Sequence, residues 1–220
     1  DLAENQLTGL TDENGLITAT LRKNTISKTV TKQVRELPAP YAISGTWKLT
    51  LEGKDFPKIE KTLINLASWT EDLRTEHLSG TGRYEIDFDI SNDYIQKDIK
   101  LTLDLGKVGN VAEVELNGEK IGTAWMRPYR LDITKTVKKG RNHLVVLVTN
   151  TLINRVSGFK KPPPVPKELV PKYGSIPTDY VDGAEQLERS EIGFKPLPPS
   201  GLMGPVRIVA EKKVTITFAL

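Results

Sequence analysis

Aromatic and basic side chains concentrate around Pro128 of this 220-residue sequence: Trp125, Arg127, Tyr129 and Arg130. An aromatic ring can stack on the apolar C–H face of a sugar, while guanidinium groups donate charge-assisted hydrogen bonds to its hydroxyls. The same residue types dominate protein–protein interfaces, and both rings could instead pack in the core. Because only 6% of the residues are aromatic, an interface or core role is favoured over a free sugar site.

Two carboxylates could in principle act as the acid and base of a glycosidase. Glu113 and Glu115 lie two residues apart in an alternating segment, so they share one face of a predicted strand. The alternation places them opposite Val114 and Leu116. A solvated outer face is therefore favoured over catalysis.

Metal and cofactor chemistry has little support. Asp179, Asp182 and Glu185 could offer oxygen ligands to calcium, but the spacing of a calcium-binding loop is absent, so an ordinary acidic loop is favoured. There is no Cys and there are only two His residues, which excludes thiolate sites and argues against a zinc site built from His. The sequence also lacks phosphate-binding loops and nucleophile motifs. We expect no catalytic residue and no cofactor within this chain, with calcium possible but unsupported by a motif.

Charge and hydropathy limit the possible partners. The 31 Lys and Arg residues against 28 Asp and Glu residues give a net charge of +3, too small for an electrostatic nucleic-acid binder. No apolar run approaches the roughly 20 residues that a membrane-spanning helix needs. We therefore expect neither nucleic acid nor membrane as a partner. The sequence begins at Asp1, which leads us to expect a processed protein or a piece of a longer one.

Short alternating segments predict β-strands that would position these residues. Arg83 to Ile90 and Ile99 to Leu105 alternate apolar with polar residues, and Asn117-Gly118 between Val111–Leu116 and Lys120–Ala124 predicts a hairpin. Further strands are predicted at Gly45–Leu51, Arg130–Ile133, His143–Thr149, Val206–Ala210 and Val214–Phe218. Only Ser68 to Leu78 could host a helical turn or two. This pattern predicts an all-β fold, an antiparallel sandwich or barrel.

Two regions stand apart from the predicted sandwich. Asn14-Gly15 predicts a hairpin turn near the N-terminus, and Leu37-Pro38-Ala39-Pro40 marks a linker. We therefore divide the chain into an N-terminal β-hairpin appendage at residues 1–37 and a sandwich at residues 38–220. The proline-rich stretch from Asn150 to Gly204 is a long loop, and such loops are usually functional, flexible or in contact with something else.

Several segments together resemble the C-terminal β-sandwich region of family 106 α-L-rhamnosidases and, more loosely, the sugar-binding jelly roll of family 2 glycosidases. The resemblance covers most of residues 37–210, and it is the joint occurrence of the middle segments that makes it specific. The segments are Leu37–Pro40, Ile43–Trp47, Ser68–Thr70, Gly80–Tyr84, Leu103–Val114, Leu116–Gly118, Gly122–Trp125, Pro128–Thr134, Val148–Asn150 and Leu197–Val206.

The resemblance implies a galactose-binding-like jelly-roll β-sandwich, with the catalytic carboxylates in a separate barrel. No catalytic residue can be carried over to this chain. We therefore expect a non-catalytic accessory domain of a periplasmic or secreted glycoside hydrolase, whose partner is the catalytic domain of the same polypeptide. The alternative is an autonomous carbohydrate-binding module that holds an oligosaccharide through Trp125, Arg127 and Tyr129. A complete enzyme would require distant carboxylates to converge on one cleft.

Overall fold

The computed structural model describes residues 2–3, 6–23, 26–158, 167–168, 170–173 and 197–218. Short helical segments occupy Ile153–Ser157 (α1) and Val170–Tyr173 (α2), with 3-10 turns at Trp69–Glu71 and Asn92–Tyr94. The strands are β1 Leu2–Ala3, β2 Gln6–Thr11, β3 Gly15–Lys23, β4 Ile26–Val34, β5 Tyr41–Ala42, β6 Trp47–Gly53, β7 Phe56–Leu63, β8 Gly80–Ile90, β9 Ile99–Asp104, β10 Lys107–Gly109, β11 Val111–Leu116, β12 Glu119–Ala124, β13 Arg130–Asp132, β14 Gly140–Thr149, β15 Gly201–Gly204 and β16 Arg207–Thr217.

Two six-stranded sheets form the body of the molecule. The first has the order β1-β2-β16-β9-β13, with β5 also paired to β16, and the second has the order β12-β11-β14-β8-β6-β7. The strand pairs within both sheets are antiparallel. The predicted all-β antiparallel sandwich is confirmed.

Rows of apolar side chains that cross the second sheet build its inner face. Leu49 lies opposite Tyr84, Tyr84 opposite Val146, and Val146 opposite Val114, so four strands contribute to one row. All four side chains are buried. They belong to the same buried cluster as the inward residues of β9 and β16. The core therefore lies between the two sheets, as expected when alternating strands turn one face inward.

Most predicted strands are found close to the predicted positions. The Asn117-Gly118 hairpin is confirmed, because both residues have positive φ angles of 54° and 80° and β11 pairs with β12. The 3-10 turn at Trp69–Glu71 lies in the one region predicted to be helical, but α1 at Ile153–Ser157 lies in the stretch predicted to be a loop. The two segments predicted at the C-terminal end form a single strand, β16. Its first six residues pair with β9 and its last six with β2, so the ladder continues through the polar residues between the two apolar segments.

The predicted hairpin around Asn14-Gly15 is wrong. β2 pairs with β16 in the first sheet, whereas β3 pairs with β4. Asn14 Nδ2 donates to the Leu37 carbonyl at 2.8 Å, and Leu37 N donates to Asn14 Oδ1 at 2.9 Å. The polar turn residues therefore join β2 to a separate hairpin, and they do not fold β3 back onto β2.

The β3–β4 hairpin covers the end of β16. Val34 of β4 forms a small buried cluster with Val214, Ile216 and Phe218. Lys32 Nζ donates to the Thr215 carbonyl at 3.1 Å across the same contact. Residues on one face of a strand recur at every second position, so Val214 and Ile216 of β16 share one face with Phe218, which follows the strand. The apolar residues of β3 and β4 pack against this face and bury it.

A buried network of hydrogen bonds holds the segment at the start of β15 in place. Trp69 Nε1 donates to Tyr84 Oη at 2.6 Å, and Leu202 N donates to the same oxygen at 3.0 Å. Asn150 Nδ2 and Asn154 Nδ2 both donate to Ser200 Oγ, at 3.0 and 2.8 Å. Since buried polar groups are costly unless they are paired, this network fixes where the chain returns to the sandwich.

No helix in the described ranges is long and apolar enough to span a membrane. Most of the proline-rich stretch, and with it Asp179, Asp182 and Glu185, lies outside the described residues. The division of the chain at residue 37 stays a prediction.

Candidate functional site

The connection between β12 and β13 carries the residues singled out by the sequence. Trp125 and Met126 come directly after β12, and their side chains are 67% and 57% exposed. Trp47 and Trp69 are only 2% and 3% exposed, so Trp125 differs sharply from the other two tryptophans. The core-packing interpretation does not hold for Trp125. Two adjacent large apolar side chains project from the tip of this connection.

Tyr129, by contrast, packs in the core. It is 8% exposed and belongs to the main buried cluster. Its carbonyl accepts a hydrogen bond from Leu105 N at 2.9 Å, which fixes the backbone beside β9. The Tyr129 ring therefore presents little surface on which a sugar could stack.

Arg130 is held by a buried carboxylate. Its Nε lies 3.1 Å and its Nη2 3.0 Å from Asp104 Oδ2. The Asp104 side chain is only 9% exposed, and its other oxygen accepts from Gly106 N at 2.9 Å. Arg207 Nη2 lies 3.5 Å from the same Oδ2 atom. A buried carboxylate is stable only when its oxygens are paired. The main role of Arg130 is therefore to pair with Asp104 and hold β13 against β9.

An open cleft of about 510 Å³ lies beside this corner. Its lining consists of Asp104, Gly106, Lys107, Arg127, Pro128 and Tyr129. Arg127 is exposed, and neither Arg127 nor Lys107 forms an ion pair with any residue in the described ranges. The cleft can therefore offer two cationic donors to a ligand. Trp125 is not part of its lining, so the structure brings Arg127 and Tyr129 together and leaves the exposed ring outside.

The sequence did not indicate Asp104 or Lys107. The alternation of Ile99, Leu101, Leu103 and Leu105 places Asp104 on the outer face of β9. A carboxylate on the outer face of a strand is common and does not by itself indicate a functional site. The signal was its pairing partner, because Arg130 and Arg207 both face it across neighbouring strands. That information lies in strand pairing and not in the local sequence.

The other candidate residues behave as ordinary surface groups where they are described. Val114 and Leu116 are buried, Glu113 is exposed on the opposite face, and Lys120 Nζ lies 2.9 Å from Glu113 Oε2. Glu113 and Glu115 thus lie on the outer face of β11, as the alternation predicted, with Glu113 exposed and Glu115 half-buried. Among the residues whose placement is described, no group of three or more His, Asp or Glu side chains could hold a metal ion.

Comparisons with known proteins agree with this architecture. Residues 70–178 match the family profile described as glycosyl hydrolase 2 galactose-binding domain-like. A curated protein of Formosa agariphila named "Putative beta-glucuronidase" is 36% identical over 197 residues, which cover 84% of this chain and 17% of that protein. The solved rhamnosidase from Novosphingobium sp. PP1Y is 32% identical with a TM-score of 0.58, and the match covers 82% of this chain and 16% of that chain.

The chain thus spans about one sixth of the length of each of these two relatives. The matched profile covers strands β8 to β14, which include most of the second sheet and the connection that carries Trp125. The resemblance seen in the sequence is therefore confirmed: this chain carries a galactose-binding-like β-sandwich domain of the kind found in glycoside hydrolases.

Proposed function

We propose that this chain is a non-catalytic accessory domain of a glycoside hydrolase that acts on plant or other complex polysaccharides. It packs against a catalytic domain of the same polypeptide and positions that domain. The observation that carries the proposal is the exposure of Trp125 and Met126, side by side, on the connection between β12 and β13. Large apolar side chains that stay in water are characteristic of interaction surfaces, and Trp is the residue most enriched at their centres.

The geometry favours this interface over a sugar-stacking site. A stacking site needs an exposed ring inside a concave surface with polar groups around it. Here the exposed ring of Trp125 lies outside the lining of the neighbouring cleft, and the Tyr129 ring that lines the cleft is buried. Arg130, the third element of a sugar platform, is already paired with Asp104.

The activity and partners of the whole protein belong to the same proposal. Both relatives are much longer than this chain, and one is named a rhamnosidase and the other a putative beta-glucuronidase. We propose an α-L-rhamnosidase-like parent that works in the periplasm or outside the cell, where large polysaccharides are accessible. In this proposal residues 1–37 are an appendage to the sandwich of residues 38–220, and the appendage adds β1 and β2 to the edge of the first sheet along β16.

Quenching of tryptophan fluorescence by acrylamide tests the proposed interface. In the 220-residue chain only Trp125 is open to the quencher, because Trp47 and Trp69 are buried. In the natural polypeptide that contains the catalytic domain, Trp125 should become protected. Other tryptophans in that polypeptide also fluoresce. Their contribution is subtracted by measuring quenching in each protein and in its Trp125→Phe variant and taking the difference. Equal quenching of Trp125 in the two contexts would contradict the proposal.

The alternative function is an autonomous carbohydrate-binding module. It is supported by the cleft beside Asp104, where Arg127 and Lys107 could donate to sugar hydroxyls. Calorimetric titration with rhamnose, galactose and pectic oligosaccharides separates the two functions. Saturable heat of binding that disappears in Arg127→Gln would favour the module. If a folded protein gives no heat of binding with any of these sugars, the accessory role is favoured.

A further inference from the structure

A second and larger cleft, of about 740 Å³, lies away from the Trp125 connection. It is bounded by the start of β9, by the first residues of β12, by the residues that follow β13, and by one pair of facing positions on β2 and β16. Its charged lining consists of Lys97, Lys100, Lys120, Lys135 and Lys213 with Asp98, Glu119 and Asp132. Four separate parts of the chain thus bring five lysines to one concave surface.

Three of these lysines have no carboxylate of a described residue within ion-pair distance. Lys97, Lys135 and Lys213 are exposed and form no ion pair with any residue whose placement is described. The other two are partly paired outside the cleft. Lys100 lies 3.4 Å from Glu211, and Lys120 lies 2.9 Å from Glu113. A concave surface with an excess of one sign of charge concentrates counter-ions of the opposite sign.

The acidic residues of the cleft are already engaged. Asp98 pairs with Lys212 at 2.9 Å, and Glu119 accepts a hydrogen bond from Thr136 Oγ1 at 3.2 Å. Asp132 accepts from Thr134 N at 3.0 Å and from Thr134 Oγ1 at 2.6 Å. Asp98 is thus paired with a cation outside the cleft, whereas Asp132 and Glu119 keep their negative charges. Five lysines against three carboxylates still leave the lining with an excess of positive charge. The remaining lone pairs of the carboxylates can accept hydrogen bonds from hydroxyl groups.

The Asp132 carboxylate stays ionised at neutral pH. Burial raises its pKa, but the hydrogen bonds from Thr134 and the charges of Lys100 and Lys135 outweigh burial and leave the pKa below its usual value. The cleft also has an apolar part, since Leu10 is 49% exposed and Ile121 is half-buried. Ammonium groups, carboxylate acceptors and aliphatic surface are thus combined on one concave wall.

We propose that this cleft binds an anionic oligosaccharide, whose carboxylate or sulfate groups pair with Lys97, Lys135 and Lys213. The engaged carboxylates would accept hydrogen bonds from sugar hydroxyls, and Leu10 and Ile121 would contact the apolar faces of the sugar rings. A single-stranded nucleic acid fits less well, because the described residues that line the cleft include no aromatic side chain to stack on bases. The proposal does not depend on the interface at Trp125, which lies elsewhere on the surface.

The test is a titration of the 220-residue chain followed by amide chemical shifts and by calorimetry. The probes are an oligogalacturonate, which carries carboxylates, a sulfated carrageenan oligosaccharide, and a neutral cello-oligosaccharide of similar length. We expect binding of one or both anionic probes, with shift changes at residues 97–100, 119–121 and 132–136, and none with the neutral probe. The affinity should fall as salt is raised, because exposed ion pairs are screened.

Matched variants decide whether the cleft itself is responsible. The combined variant Lys97→Gln, Lys135→Gln and Lys213→Gln should weaken binding roughly tenfold, since each exposed pair contributes modestly. The control Lys28→Gln, Lys48→Gln and Lys54→Gln removes the same charge from exposed lysines outside the cleft and should change affinity less than about twofold. Circular dichroism checks that both variants fold, and the three single substitutions replace the combined variant if it does not.

Several outcomes would overturn the proposal. An equal loss of affinity in the two combined variants would show a general charge effect. Shift changes confined to residues 125–130 would place binding at the other cleft, and equal binding of the neutral probe would remove the role of the lysines. If no probe binds and an acidic peptide does, the cleft is a protein-docking surface. None of these outcomes bears on the protection of Trp125 in the longer polypeptide, so the two proposals fail separately.

Discussion

The Tyr84 hydroxyl stabilises the sandwich at a point where strands from distant parts of the chain meet. It accepts hydrogen bonds from Trp69 Nε1 at 2.6 Å and from Leu202 N at 3.0 Å. Both donor residues are buried, with exposed fractions of 3% and 0%. Tyr84→Phe keeps the ring and removes only the acceptor. Each buried donor left without a partner costs about 1–3 kcal/mol, so the free energy of unfolding should fall by about 2–6 kcal/mol.

Urea unfolding followed by circular dichroism measures this loss. Tyr129→Phe is the matched control, because Tyr129 is also a buried ring but its hydroxyl has no hydrogen-bond partner among the described residues. The control should change the free energy of unfolding by less than about 0.5 kcal/mol. If Tyr84→Phe costs no more than Tyr129→Phe, the two hydrogen bonds do not stabilise the fold and the reasoning fails.

The same hydroxyl gives the stability a pH dependence at alkaline pH. Burial raises the pKa of Tyr84 from 10.0 to about 12, against the opposing effect of the hydrogen bonds from Leu202 and Trp69. Between these two values the unfolded chain ionises at Tyr84 while the folded chain does not. The stabilisation is therefore complete below pH 10 and is lost as the pH rises toward 12, by up to about 3 kcal/mol. The gap between wild type and Tyr84→Phe should narrow over this range, and parallel curves would contradict the assignment.

Three further predictions use the same unfolding assay. Gly201→Ala should lower the free energy of unfolding by more than about 3 kcal/mol, because φ is 94° and a Cβ would lie 2.3 Å from Trp69 Nε1. Gly118→Ala, at φ 80° with nothing within 4 Å of the added Cβ, should lower it by only about 1–2 kcal/mol. If the two variants lose the same free energy of unfolding, the loss comes from backbone strain at positive φ and not from the contact with Trp69. Asn142→Ala should cost about 2–4 kcal/mol, since this buried amide bonds to Lys138 N, the carbonyls of Lys138 and Gly140, and Asn117 Nδ2. Trp125→Ser should change stability by less than about 0.5 kcal/mol, and a larger loss would show that the ring packs within the domain.

The sandwich could be predicted because its strands are regular and half-buried. In β8 the residues Tyr84, Ile86, Phe88 and Ile90 are all buried, as their alternation with charged residues requires. The turn at Asn117-Gly118 was equally clear, because a type of turn that needs two positive φ angles selects these residues. Local patterns thus determine which residues form strands and which face is inward.

Pairing partners could not be predicted in the same way. The turn chemistry of Asn14-Gly15 resembles that of Asn117-Gly118, yet β2 pairs with β16, a strand about 200 residues away. Asn14 uses its side-chain amide to bind the backbone of Leu37, which no rule of local turn geometry anticipates. When both sides of a polar turn have alternative partners, the tertiary pairing that buries more apolar surface decides.

The candidate site shows the same limit in its side chains. Trp125, Tyr129 and Arg130 lie within six residues of one another in the sequence. The Trp125 ring is nevertheless exposed to solvent, the Tyr129 ring packs in the core, and the Arg130 guanidinium pairs with Asp104 on β9. A cluster in sequence is therefore not a cluster in space when the segment crosses from one sheet to the other. The lysine cleft is the opposite case, because its lysines come from four separate regions and no window of the sequence contains them. For a sandwich of this kind, binding surfaces have to be sought where connections and strand ends converge, and neighbouring residues of one connection have to be tested one at a time.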